Sequence, residues 1–347
     1  MSRQLTCAQA LREAQDLCLA ADPSVFLMGL GVPDPKGIFG TTSGLAEAHG
    51  AERVFDMPCA ENAMTGVAIG AALAGMRPVM THQRVDFALL ALEQLCNQAA
   101  NWRAMFAGQQ TVPLTVRLMV GRGWGQGPQH SQCLHAWLAH VPGLKVVMPT
   151  TPHDAKGLLI AAIEDDDPVV FIEHRWLHGL RGEVPEGHYT VPLGQAKILR
   201  PGRDVTLVAS SHMTIEAMGA AQRLADEGVE AEVIDLRTIS PWDRATVLDS
   251  VRRTGRLVAA DGGWLTAGFA AEIVATVSEA CFGELRAAPR RVTLPDAPTP
   301  TSPALAAAYY PTVVDLLRAV DQTLGRTTDR PDEPAPDVPN LAFTGPF

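Results

Sequence analysis

The chain of 347 residues contains no run of eighteen apolar residues, so no segment is expected to span a membrane as a helix. Its first residues, Met1-Ser2-Arg3-Gln4-Leu5-Thr6, lack the basic-then-apolar order of a secretion signal, and a cytoplasmic protein is expected. Basic charge is scarce. The 28 Lys and Arg against 38 Asp and Glu give a formal charge of −10, which argues against nucleic acid as a partner. Six cysteines (Cys7, Cys18, Cys59, Cys96, Cys133, Cys281) form no C-x-x-C pair, so buried reduced thiols are expected rather than a metal cage. The ten histidines include no H-E-x-x-H, which leaves a zinc hydrolase unsupported. The glycine-dense segment 121–127 lacks G-x-x-x-x-G-K-[ST] and matches no phosphate fingerprint.

What the chain does have is alternation. Apolar, β-rich runs at 24–30, 77–80, 114–120, 145–148 and 168–173 are separated by stretches with helical patterning, beginning with 6–21 capped by Thr6. That order predicts an α/β fold with a mainly parallel, doubly wound sheet. A second alternating unit starts near residue 204 and closes with a helix at 312–324. The expected division is one domain over 1–185, a linker over 186–203, a second domain over 204–325, and a disordered Pro- and Asp-rich tail. Within the tail, Asn340-Leu341-Ala342-Phe343 reads either as an anchor for a partner or as idle chain.

One stretch organises the first domain. Phe55-Asp56-Met57-Pro58-Cys59-Ala60-Glu61 leads into a helix rich in Gly66, Gly70, Ala71, Ala74 and Gly75. Each internal Gly costs a helix about 1 kcal/mol against Ala. Such composition suits a helix that another backbone or a ligand must approach closely. Glu61 falls in the first turn, where it is either a capping acid or a carboxylate held at the mouth of the sheet. Gln129-His130-Ser131-Gln132 follows the glycine-dense segment and is expected beside a cleft; alone, His130 fits a structural or a catalytic role.

The blocks Pro58-Cys59-Ala60-Glu61, Pro128-Gln129-His130-Ser131-Gln132, Pro142-Gly143-Leu144-Lys145-Val146-Val147, Asp154-Ala155-Lys156-Gly157-Leu158-Leu159, Asp167-Pro168-Val169-Val170 and Glu232-Val233-Ile234-Asp235-Leu236-Arg237 carry a resemblance. In their order and spacing they resemble the beta subunits of thiamine-diphosphate-dependent 2-oxoacid dehydrogenases, in the transketolase superfamily, over roughly residues 5–325. The resemblance implies a pyrimidine-binding domain followed by a transketolase C-terminal-like domain. It implies that Glu61 hydrogen-bonds the aminopyrimidine of thiamine diphosphate, stabilising the tautomer whose imino nitrogen takes the thiazolium proton. It further implies that Met57, Pro58 and Phe87 contact the cofactor and that His130 serves in catalysis. A potassium ion is implied at carbonyls around Ala162, Asp165 and Asp167.

The superfamily's Gly-Asp-Gly…Asn segment for Mg²⁺ and diphosphate is missing; Asp261-Gly262-Gly263 is a near match in the wrong order. A separate alpha chain, in an α2β2 heterotetramer, is therefore expected to hold that end. The implied activity is decarboxylation of a 2-oxoacid with acyl transfer to a lipoyl acyltransferase partner. The alternatives are half of a split transketolase or acyloin-forming ligase, and a non-catalytic assembly subunit. Two departures bear on substrate. Gly29-Leu30-Gly31 stands where the family has an acidic pair. His82 and Arg84, with Gln129, are candidates for contacting an anionic donor or acceptor.

Overall fold

The computed structural model describes residues 2–121, 127–327 and 329–332, organised as two compact units. The strands in chain order are β1 (Ser2–Thr6), β2 (Val25–Gly29), β3 (Val54–Phe55), β4 (Arg77–His82), β5 (Thr115–Val120), β6 (Lys145–Val147), β7 (Val169–His174), β8 (Arg181–Pro185), β9 (Lys197–Arg200), β10 (Val205–Ala209), β11 (Ala231–Asp235), β12 (Thr238–Ser240), β13 (Leu257–Trp264) and β14 (Arg290–Leu294).

The first unit is built on a seven-stranded sheet of order β12-β6-β7-β5-β4-β2-β3, parallel except for β12 at its edge. Strand side chains alternate between faces, and both faces are covered. Val79 joins a core with Leu11, Ala14, Leu158, Leu159 and Ile163 from the helices Cys7–Ala21 and Pro152–Glu164. Its neighbour Met80 meets Thr65 of the helix Glu61–Leu73, whose hydroxyl lies 3.4 Å from the Met80 Sδ. This is the doubly wound layering that the alternating pattern predicts. The second unit holds a five-stranded sheet of order β14-β13-β10-β11-β9, parallel except for β9.

Several elements depart from the sequence expectation. A short antiparallel pair of β1 with β8 precedes and follows the large sheet. Residues 186–203, read as a linker, contain β9, which pairs with β11. Residues 237–242 belong to the first unit although both flanking segments belong to the second. The stretch after Phe87 is no continuous α-helix: it passes through a 3-10 turn and a π-helical segment, Gln94–Ala99, before Ala100–Met105. The first residues of the expected disordered tail are tied down, with Arg330 donating to Glu227 and Asp321. The glycine-dense residues 122–126 and the Asn340-Leu341-Ala342-Phe343 segment lie outside the described residues.

Gly29, where the acidic pair was absent, has a steric reason. A Cβ there would fall 2.4 Å from the Thr81 carbonyl oxygen on the neighbouring strand.

Candidate active site

In a parallel sheet, ligands bind at the carboxyl ends of the strands. In the first unit, Phe55, His82, Val120 and His174 end β3, β4, β5 and β7 on the same edge. Glu61, Arg84, His130 and Arg175 follow those ends.

After β3, the Asp56 carboxylate accepts the backbone N–H of Met57 and of Gly31, shaping the turn, and the helix opens at Glu61. Its N-cap is Ala60, which has no capping side chain. Glu61 is 6% exposed, and among the described residues its carboxylate has no hydrogen-bond or ion-pair partner. A capping acid would accept a backbone N–H; this one does not. The residue is nearly buried while its carboxylate oxygens are not among the buried atoms left without a partner, so the carboxylate stays open to a group supplied from outside the chain. Met57 is buried and Pro58 exposed at the same turn.

At the end of β4, the Thr81 hydroxyl and His82 Nε2 are buried without a partner among the described residues. Burial pushes the His82 imidazole down to about 4, so it is neutral at neutral pH. Arg84 donates to the Gln83 carbonyl and lies over the Phe39 ring. Asp86 accepts from the Gln132 amide at 2.8 Å, while its second carboxylate oxygen is buried without a partner; burial raises its pKa. Phe87 meets His130 edge-on, with centroids 5.5 Å apart and rings at 86°. These two contacts bring the segment after β4 to the segment after β5. His130 Nδ1 and the Ser131 hydroxyl are also buried without partners among the described residues, and Gln129 is exposed. Buried polar groups are nearly always satisfied. A cluster of orphans along one sheet edge marks where a ligand or water completes the bonding.

The region proposed for potassium lies at the opposite edge, before the start of β7. There the Ala162 carbonyl accepts from Thr115, the Asp165 carboxylate holds Lys145 Nζ at 2.7 Å, and Asp167 pairs with Arg103 and Lys145. Arg77 donates to the Ile163 and Asp165 carbonyls. The acidic side chains are therefore engaged by the chain's own cations.

Sequence reasoning passed over Thr81 and Asp86, and also Phe39 and Arg175; Ser131 it set beside a cleft without a role. Arg175 carries a usable signal, since it directly follows the last residue of a strand. Phe39 carries none beyond its Gly- and Pro-rich loop. In the second unit, the near match Asp261-Gly262-Gly263 is an internal brace, its carboxylate accepting the N–H of Gly263 and of Ala270.

Comparison with known proteins assigns both domains to known families. Residues 3–179 match the transketolase pyrimidine binding domain and residues 194–316 the transketolase C-terminal domain. The acetoin:2,6-dichlorophenolindophenol oxidoreductase subunit beta of Cupriavidus necator is 45% identical over 334 residues, covering 93% of this chain and 98% of that protein. The mitochondrial pyruvate dehydrogenase E1 component subunit beta-1 of Arabidopsis thaliana is 44% identical, covering 92% of this chain and 89% of its own length. A solved split-gene transketolase, described as an inactive beta4 tetramer, shares the fold with a TM-score of 0.75 at 24% identity, covering 92% of this chain and 99% of its own. The chain belongs to the beta-subunit family of thiamine-diphosphate-dependent 2-oxoacid dehydrogenases, within the transketolase superfamily.

Proposed function

We propose that this chain, with a separate alpha chain, forms an α2β2 enzyme that decarboxylates a 2-oxoacid and passes the acyl group to a lipoyl acyltransferase in the cytoplasm. The observation that carries the reading is the Glu61 carboxylate, on a nearly buried residue at a helix start on the ligand-binding edge and with no hydrogen-bond or ion-pair partner among the described residues. When bound, thiamine diphosphate supplies the nucleophilic carbon and the electron sink for decarboxylation.

The residues present fit the pyrimidine end of that group. Glu61 would hold the far ring nitrogen by a hydrogen bond, fixing the tautomer with a basic imino group. Phe87, with Met57 and Pro58, would pack against the ring. His130, braced edge-on by Phe87, offers an Nδ1 without a partner among the described residues for binding or protonating the substrate oxygen. His82, neutral through burial, can exchange hydrogen bonds but brings no charge. Among the described residues no set for Mg²⁺ and diphosphate accompanies them: the near match at Asp261 already braces two backbone N–H groups. The alpha chain is the natural holder of that end.

Product analysis of the two-chain complex with 2-oxoacids, lipoamide and aldehydes tests the reading. Acyl-lipoamide is expected; acyloin alone would point instead to carbon–carbon ligation. A potassium ion at residues 162–167 would have only carbonyl oxygens to bind, and its role would be structural. It would raise the melting temperature in KCl over choline chloride; equal melting in both salts removes the ion from the account.

A further inference from the structure

Two arginines stand on the edge that carries Glu61, Phe87 and His130: Arg84 after β4 and Arg175 after β7. Arg84 is 5% exposed and Arg175 8%. Both guanidiniums lie over the ring of Phe39, at 5.0 and 4.6 Å from its centroid. Aromatic faces attract cations, but here one ring gathers two like charges in a place largely shielded from water.

The ring is set there deliberately. Phe39 has φ 51°, a left-handed backbone that bulky residues avoid. Its loop is bonded on both sides, with the Gly40 N–H on the Lys36 carbonyl, the Thr41 N–H on Ile38, and the Ile38 N–H on the Thr42 hydroxyl. Thr41 is pinned in turn. Its hydroxyl accepts from Arg117, which is fully buried and bonded to Glu173, and its carbonyl accepts from Gln15. A buried ionic network therefore fixes a strained loop that presents a phenyl ring to two guanidiniums.

Burial pulls the Arg84 guanidinium down to about 10 and also lowers that of Arg175. The Arg175 charge also acts against that of Arg84, and the acid favouring Arg84 is Asp86, whose own ionisation burial opposes. An anion seated between the two guanidiniums would offset their mutual repulsion.

We propose that Arg84 and Arg175, positioned by Phe39, recognise a second anionic group at the end of the substrate remote from its 2-oxo carbon, so that the enzyme prefers acid-terminated 2-oxoacids. This rests on the reading of the chain as half of a 2-oxoacid decarboxylating enzyme. The reacting carboxylate is the poorer occupant. Its charge disperses as carbon dioxide leaves, so two cations holding it would bind the ground state better than the transition state. A distal carboxylate or phosphate keeps its charge throughout and fixes orientation at no such cost.

The test uses the reconstituted two-chain complex and 2-oxoacids of matched length ending in methyl, carboxylate or phosphate. The wild type is expected to favour one anionic series over the methyl series at least tenfold in kcat/KM. The Arg84→Gln and Arg175→Gln variants should lower that ratio at least tenfold, mainly through KM, while Arg175→Lys keeps part of it. Equal or better use of methyl-ended acids by the wild type overturns the proposal, and the other series identifies which anion is read. A second readout is independent of turnover: glutarate should raise the melting temperature of the wild-type complex where butyrate does not, and Arg175→Gln should abolish the shift. A complex that turns over no 2-oxoacid yet shows the glutarate shift refutes the decarboxylase reading while keeping the anion seat. A complex that turns over 2-oxoacids without anionic preference or glutarate shift does the reverse.

Discussion

A carboxylate on a nearly buried residue at a helix start, with no hydrogen-bond or ion-pair partner among the described residues, is held open for something outside the chain to complete. That is the reason to place Glu61 in chemistry rather than in capping. Glu61→Gln keeps the shape and removes the acid, so kcat of the complex is expected to fall by roughly 10²–10³, with assembly, read by sedimentation, intact. Unchanged turnover would return Glu61 to a structural role. His82 makes a separate prediction about pH. Its folded pKa, about 4, lies below the ordinary value of 6.5, so the unfolded chain binds the proton more readily in that window. The sign follows: stability is full above pH 6.5 and is lost as pH falls towards 4. Between pH 7 and pH 5 the loss is about 2 kcal/mol. His82→Phe should be flatter in denaturant-measured stability over that interval, and an unaltered slope would assign the effect elsewhere. At this scale the sequence was legible where a residue follows a strand end in a recognisable block, as for Glu61, Phe87 and His130. It was silent on Phe39, because its meeting with Arg84 and Arg175 joins three segments that no local pattern links.

Among elements, the Glu61–Leu73 helix shows composition acting through space. Its buried face is Glu61, Thr65, Ala68, Ile69 and Ala72. Its other face exposes Ala63, Val67, Gly70 and Leu73, with Val67 55% and Leu73 37% exposed. A Cβ added at Gly70 meets nothing within 4 Å in this chain, so neither packing nor turn geometry in the chain calls for a glycine there. The glycine is explained if the backbone that approaches belongs to another subunit. Gly70→Arg should therefore leave the isolated chain as stable as before, or more so by up to about 1 kcal/mol from helix propensity. In the two-chain mixture it should prevent the heterotetramer from forming, as read by light scattering. Full assembly by this variant would place the interface on another face. Strands flanked by turns and buried on both sides were plain in the sequence, since near-continuous apolar runs mark a parallel sheet. The β1–β8 pair was not, because its residues are mixed in polarity and the pairing spans almost the whole first unit. The π-helical segment at Gln94–Ala99 was likewise hidden, having the composition of an ordinary helix.

Across the whole molecule the chemistry is lopsided. Every candidate for cofactor and substrate belongs to the first unit, and the second contributes none of them. The second unit's Asp261-Gly262-Gly263 segment is consumed in bracing the start of the helix Phe269–Ala280. A chain with a fold common to complete enzymes, yet with only the pyrimidine half of the donor set, is expected to share its pocket with another chain. The net charge of −10 adds to the argument, since an acidic protein repels a diphosphate unless a metal and its ligands intervene. Titration calorimetry separates the possibilities. The isolated chain should bind thiamine diphosphate weakly and without dependence on Mg²⁺, because a hydrogen bond from Glu61 and packing on Phe87 leave the diphosphate ungripped. Adding the alpha chain should tighten binding at least a hundredfold, about 2.7 kcal/mol, and make it Mg²⁺-dependent. Tight, Mg²⁺-dependent binding by the isolated chain would mean that it holds both ends of the cofactor, and the division of labour argued from Glu61 and Asp261 would fall.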